Sequence, residues 1–132
     1  MCGIGGMLGE PDQAVLSRMN SLMDHRGPDG QGLFSDDNCG LAHTRLAIVD
    51  IVGSPQPIYG PGKVAVVNGE IYNHLELKNS MYQYTTNGDS EVVLSLHAGR
   101  GNASTHAKWV SKLDGMFAFA LWSEGQLILA RD

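Results

Sequence analysis

Met1-Cys2-Gly3-Ile4-Gly5-Gly6-Met7 opens the chain, and its second residue decides how everything after it is read. Cysteine is small enough for an initiator methionine ahead of it to be trimmed. Trimming leaves a thiol and a free α-amine on one residue. A thiol is a strong nucleophile, and a neutral amine two bonds away can serve as its base. The reference pKa of an α-amine, ~8, leaves a useful neutral fraction near neutral pH. The chain carries Met1, so this base exists only once that methionine is gone. From Cys2 alone, a small strand residue packed in a core is the favoured reading.

Working outward, Cys2 to Leu8 is small and apolar and predicts a strand beginning at the thiol. Pro11 to Asp24 repeats Val15, Leu16, Met19, Leu22 and Met23 on a helical period, with Pro11 at the first turn. His25 to Gly30 is a loop dense in turn formers. Gly32–Ser35 and Gly40–Val49 read as strands joined by Asp36-Asp37-Asn38. Asp50 to Gly62 holds three prolines and three glycines and reads as an irregular loop. Lys63–Val67 is a β-branched strand ending at Asn68-Gly69. Asn73–Ser80 predicts a short helix, Tyr82–Thr85 a brief strand, and Asp89–Ala98 a helix capped near Asp89 or Ser90. Ser104–Leu113 predicts another helix. Met116–Trp122 and Gln126–Ala130 form a hairpin around Ser123-Glu124-Gly125. Interleaved strands and helices with several hairpins imply an α+β fold with largely antiparallel sheets.

Bulk properties narrow the function. A chain of 132 residues is one domain at most, long enough to bury a core. A net charge of −5 argues against nucleic acid and anionic membrane as partners. The longest apolar run, Met116 to Trp122, is far too short to span a bilayer. No signal-peptide pattern occurs, so a cytoplasmic, reducing setting is expected. Two cysteines do not make a disulfide framework, and Cys39 is expected to be buried and inert. The five histidines show no paired ligand spacing, so no metal site is expected. Asn102-Ala103-Ser104 matches a glycosylation sequon, without consequence in the cytosol.

Further positions carry candidate roles, most with a plainer alternative. Asn68-Gly69 can aim a side-chain amide and a backbone N–H at one oxygen, but Asn-Gly is also the strongest short turn signal. Arg45 lies in an apolar strand, where a guanidinium must meet an anion or snorkel to the surface. Asp89 is a candidate site acid or simply a helix cap. Arg26 is a candidate loop brace.

Taken together, several segments resemble the class II glutamine amidotransferase domain, in particular the glutaminase half of glutamine-hydrolysing asparagine synthetases. They are Met1 to Gly6, His25-Arg26-Gly27-Pro28-Asp29-Gly30, Leu41 to Asp50, Gln56-Pro57, Val67-Asn68-Gly69-Glu70-Ile71-Tyr72-Asn73-His74, Gly88 to Val92, Leu113 to Trp122, and Ala130-Arg131-Asp132. They occur in family order over essentially the whole chain.

The resemblance implies the N-terminal nucleophile hydrolase fold, an αββα sandwich of two antiparallel sheets between helical layers, over a glutaminase domain at 1–132. It implies Cys2 as nucleophile with its α-amine as base, and Asn68 (side chain) and Gly69 (N–H) as oxyanion hole. Arg45 would clamp the glutamine α-carboxylate, with Glu70 and Asp89 on its ammonium. Leu46 and Val49 would add contacts in the substrate-binding segment, and Arg26 would support from behind. The expected reaction is hydrolysis of the glutamine side-chain amide to glutamate and ammonia through a Cys2 thioester. The alternative is a catalytically weak or silent glutamine-binding regulatory relative, and a third reading is a purely structural α+β module. In the family, further strands follow the Ala-Arg-Asp segment, so this chain is expected to be C-terminally truncated, with a synthetase domain or subunit as partner or a homo-oligomer covering the exposed edge. ATP and Mg would belong to that synthetase domain, and no cofactor is expected here.

Overall fold

The computed structural model describes residues 1–100 and 106–132. The sequon at 102–104 and the first two residues of the helix expected over Ser104–Leu113 lie outside them. Strand β1 (Gly3–Leu8) leads to helix α1 (Gln13–Met23), a 3-10 turn (Asp24–Arg26), and strands β2 (Gly30–Ser35) and β3 (Cys39–Arg45). Strands β4 (Ile58–Gly60) and β5 (Lys63–Ile71) follow, then three short helices, α2 (His74–Leu77), α3 (Val92–Ala98) and α4 (Ala107–Val110). Strands β6 (Gly115–Ser123) and β7 (Gln126–Arg131) close the described chain.

The strands form two antiparallel sheets, ordered β1-β3-β2 and β4-β5-β6-β7. Side-chain alternation along each strand sorts residues into two cores. Cys39 and Leu41 from β3 meet Val64, Val66, Ala120 and Trp122 between the sheets. The intervening residues Ala65, Val67, Phe117, Phe119 and Leu121 pack outward against Val92 and Val93 of α3 and Trp109 of α4. Helix α1 covers the opposite face of the first sheet, with Leu16 fully buried. The layers therefore run α, β, β, α, as the resemblance implies. No described helix is long and apolar enough to cross a membrane.

Several boundaries differ from the sequence reading, each for a local reason. Helix α1 is capped by Asp12, whose carboxylate accepts from the N–H groups of Ala14 and Val15 at 2.7 and 3.2 Å; Pro11 lies outside it. The strand expected over Gly40–Val49 stops at Arg45, and the remainder turns aside to line a cavity. The loop read over Asp50–Gly62 contains β4, and β5 runs past Val67 to Ile71. The helix expected over Asn73–Ser80 is the single turn α2. Tyr82–Thr85 is not a strand, because the Thr85 N–H donates to the Glu91 carboxylate instead of to a neighbouring strand. Helix α3 begins at Val92, not Asp89, and no side chain caps it: Asp89 and Glu91 both turn away to other donors. Helix α4 spans only Ala107–Val110 of the expected segment.

Close approach of the layers explains one glycine. A Cβ on Gly32 of β2 would run into the carbonyl of Gln56, so the loop after β3 lies directly on that strand.

Candidate active site

Antiparallel pairing of β1 with β3 sets Gly3 opposite Thr44. Continuing that register by one step brings Cys2 beside the Arg45-Leu46 end of β3. The Cys2 thiol is buried and engages one peptide unit there: the Leu46 N–H donates to Sγ at 3.3 Å, and the S–H faces the Leu46 carbonyl at 3.6 Å. Behind the thiol, Arg26 Nε donates to the Cys2 carbonyl at 3.0 Å. Thr44 Oγ1 accepts from the Gly3 N–H and donates to the Met23 carbonyl, both at 3.1 Å. The residue after the thiol is thus fixed from the β3 side and from α1.

Cys2 opens on a cavity of about 100 Å³. Arg45, Leu46, Val49, Gly69, Glu70 and Asp89 all line it, so most residues singled out by sequence converge on one space. Arg26 stands behind Cys2 and does not line the cavity. Asn68 is also absent from the lining; its Oδ1 is buried with no hydrogen-bond partner. Gly69 occupies φ +127°, and a Cβ there would overlap the Met116 carbonyl of β6. Only glycine fits that pairing.

The charged groups are held differently from one another. Arg45 donates from Nη1 to the Ile51 carbonyl at 2.7 Å, and from Nη2 to the carbonyls of Asp50 and Val49 at 2.7 and 3.3 Å. Three of its five N–H groups therefore brace its own following loop, leaving Nε–H and one Nη1–H. Asp89 is buried and accepts the Ile71 N–H through Oδ2 at 2.7 Å, which ties it to the end of β5. Glu70 is half-buried on the cavity wall.

Sequence reasoning missed several contributors. Ser54, Gln56, Thr86 and Ser90 supply polar lining, and Ile48, Ile58 and Met116 supply apolar lining. Gln56 uses its amide like a strand, accepting from the Val67 N–H at 2.6 Å and donating to the Val67 carbonyl at 3.0 Å. Asp29 accepts the Ala47 N–H at 2.9 Å, while its own N–H donates to the Arg45 carbonyl. Glu91 is fully buried and accepts from the N–H and Oγ1–H groups of both Thr85 and Thr86. The signals were present, since Asp29, Gln56 and Glu91 all lie in the quoted segments, but a carboxylate or amide in a loop does not name its donor.

Buried His43 borders this region. Its Nε2 lies 3.1 Å from the Val67 carbonyl, an acceptor, so Nε2 carries the proton and Nδ1 is left without a partner. Burial pushes its pKa down to about 4, with the nearby Arg45 charge assisting and the Val67 carbonyl opposing. Cys39 is buried between the sheets, where burial and then Asp36 push its thiol up to about 11. That suits the inert role expected of it. Among the described residues, no three His, Cys, Asp or Glu side chains converge as metal ligands.

Two stacked antiparallel sheets between helices, with a cysteine at the start of β1 facing a cavity that holds one cation and two acids, define the class: the amidotransferase form of the N-terminal nucleophile fold. The family described as the glutamine amidotransferase domain matches residues 1–132, and the chain belongs to it. Asparagine synthetase B [glutamine-hydrolyzing] of Escherichia coli (strain K12) is 42% identical over 132 residues, covering 92% of this chain and 23% of that protein. Asparagine synthetase [glutamine-hydrolyzing] 3 of Arabidopsis thaliana is 45% identical over 143 residues, covering 100% and 24%. The chain thus spans about a quarter of the length of the curated relatives it matches. Among solved structures, glutamine phosphoribosylpyrophosphate (PRPP) amidotransferase from B. subtilis, complexed with ADP and GMP, superposes with a TM-score of 0.74 at 21% identity. It covers 98% of this chain and 37% of that one. At that identity the likeness is one of fold.

Proposed function

We propose that this domain hydrolyses the side-chain amide of L-glutamine, as the ammonia-donating part of an asparagine-synthetase-like amidotransferase. The observation that carries the reading is a single cavity lined by Cys2, Arg45, Glu70 and Asp89 in a chain of this family. Free glutamine is a zwitterion, so a selective pocket needs a cation and an anion at fixed separation. Arg45 supplies two unspent N–H groups for the α-carboxylate, and Asp89 with Glu70 supplies acceptors for the α-ammonium. The side-chain amide then points towards Cys2.

In this reading, removal of Met1 frees the α-amine of Cys2, which takes the thiol proton. Sulfur bonds to the amide carbon, and negative charge moves to the amide oxygen, where the Asn68 amide and Gly69 N–H stabilise it. Collapse of that intermediate breaks the C–N bond, and the proton held by the amine leaves on nitrogen as ammonia. Water, deprotonated by the same amine, attacks the thioester carbon, releasing glutamate and restoring the thiol. The donor this role requires is the Asn68 Nδ2–H₂ group; the Asn68 Oδ1, buried without a partner, is an acceptor and takes no part in holding the oxyanion. None of these steps needs a cofactor. The ammonia acceptor, and the ATP and Mg that would activate it, are assigned to a synthetase domain or subunit.

The test joins a mass measurement to an assay. Methionine-free protein should release glutamate from glutamine, and a diazoketone analogue of glutamine should add once, at Cys2, and abolish turnover. Binding of glutamine by calorimetry without turnover, in protein beginning at Cys2, would move the assignment to the silent glutamine-binding relative. Neither binding nor labelling would end both readings.

A further inference from the structure

Two loops close the cavity over its charged end. One, residues 46–57, follows β3; the other, residues 85–91, precedes α3. No strand pairing joins them. Asp50 does. It sits at φ +47°, a left-handed conformation that Asp, Asn and Gly tolerate best. Its carboxylate accepts the Gly53 N–H on Oδ1 at 3.0 Å. Oδ2 accepts the Ser54 hydroxyl at 2.7 Å and, across to the second loop, the Asn87 N–H at 3.0 Å. Its own carbonyl accepts from Arg45 Nη2 at 2.7 Å. One residue therefore touches the cation at one side of the cavity and, through Asn87, the segment that carries Asp89 at the other.

We propose that Asp50 is a positioning residue: its carboxylate straps the loop braced by Arg45 to the loop bearing Asp89, and so sets the separation between the groups that grip the two charged ends of an amino-acid substrate. The inference rests on the glutamine reading above and deepens it. The reacting end has anchors outside the strapped loops, the Cys2 carbonyl by Arg26, the Gly3 N–H by Thr44, and Gly69 by its pairing in β5 with β6. Loss of the strap should therefore fall on binding and leave the chemical step alone.

Asp50→Asn isolates the cross-loop bond. The carboxamide keeps the left-handed backbone, keeps an oxygen for the Gly53 N–H, and turns an N–H₂ towards Ser54, whose hydroxyl can rotate to accept it. The Asn87 N–H cannot rotate and loses its acceptor. Asp50→Gly serves as second variant, keeping the backbone conformation with no strap at all.

The expected result in both is a rise in the KM for glutamine of about tenfold, the scale of one lost hydrogen bond to a charged group. The kcat should stay within about twofold, because the lost interaction is the same in ground and transition states. Alkylation of Cys2 by iodoacetamide, which has no charged end, should keep its wild-type rate. Amide hydrogen exchange should quicken across residues 86–90, which lie 36 or more positions from the substitution along the chain. An unchanged KM, or a fall in kcat as large as the rise in KM, overturns the proposal. If the wild-type protein neither binds nor hydrolyses glutamine, the pocket assignment fails on its own. Exchange at 86–90 still decides the strap: faster in Asp50→Asn supports it, unchanged overturns it.

Discussion

At the scale of single residues, the site is a division between groups already satisfied and groups left open. Arg26, Gln56 and Glu91 spend their hydrogen bonds on protein. Asn68 leaves its oxygen unpaired. Substituting Asn68 by Ala should lower glutaminase kcat roughly a hundredfold, the ~3 kcal/mol loss typical of one oxyanion donor, while calorimetric affinity for glutamine persists. Equal turnover in the variant would remove Asn68 from the proposed mechanism. Cys2 stood out as a candidate in the sequence, because a thiol next to a removable methionine needs no tertiary information to be suspected of chemistry. What the residue scale did not disclose is the donor aimed at its sulfur, since the Leu46 N–H belongs to a backbone group that every sequence contains.

At the scale of elements, strands were easier to read than the loops that make the pocket. Apolar and β-branched runs bounded by turn residues located β1, β3, β5 and the β6–β7 hairpin, although β3 ended four residues early and β5 four residues late against the expected Gly40–Val49 and Lys63–Val67. Asp89 and Glu91 explain the error at α3. Asp89 looks like a helix-capping acid in sequence, yet its carboxylate takes the Ile71 N–H, and the Glu91 carboxylate beside it takes four donors from Thr85 and Thr86. Glu91→Gln presents an N–H₂ to this cluster. The two hydroxyls can turn, but one backbone N–H cannot, so the variant should lose about 1–3 kcal/mol. Urea denaturation reads this directly, and an unshifted midpoint would show that the loop draws its order from elsewhere.

At the scale of the whole molecule, stability lies in two apolar layers that face opposite sides of one sheet. Leu41 is almost wholly buried between the sheets. Leu41→Ala should cost about 2–5 kcal/mol, seen as a lowered urea midpoint with little change in slope; a loss under about 0.5 kcal/mol, the usual size for surface substitutions, would mean that the sheets do not pack on it. The same burial makes the fold sensitive to acid. His43 has its folded pKa depressed to about 4, chiefly by burial, and the buried His97 is lowered to about 4 by burial and then by Arg100, Lys63 and His106. For a depressed histidine the folded state refuses a proton that the unfolded chain accepts. Its contribution is therefore complete above about pH 6.5 and drains away as pH falls towards the folded value. The His43 share should appear as a slope of roughly 1.4 kcal/mol per pH unit below pH 6.5. Equilibrium unfolding at intervals from pH 7 to pH 5 checks it, above the range where carboxylates titrate. A flat profile across that window would contradict a neutral, buried His43.

The sequence by itself determined the fold class and the family, and it offered candidate side chains for chemistry, because periodicity, turn residues and a thiol at position 2 are properties of the chain written in order. Tertiary structure alone decided that Arg45 spends three N–H groups on its own loop, that Asp50 reaches Asn87, and that Gln56 completes the edge of β5. Those contacts join residues to backbone amides and carbonyls. Every residue but proline carries that same donor and acceptor pair, so the choice among identical partners is made only when the layers pack and bring one of them within reach.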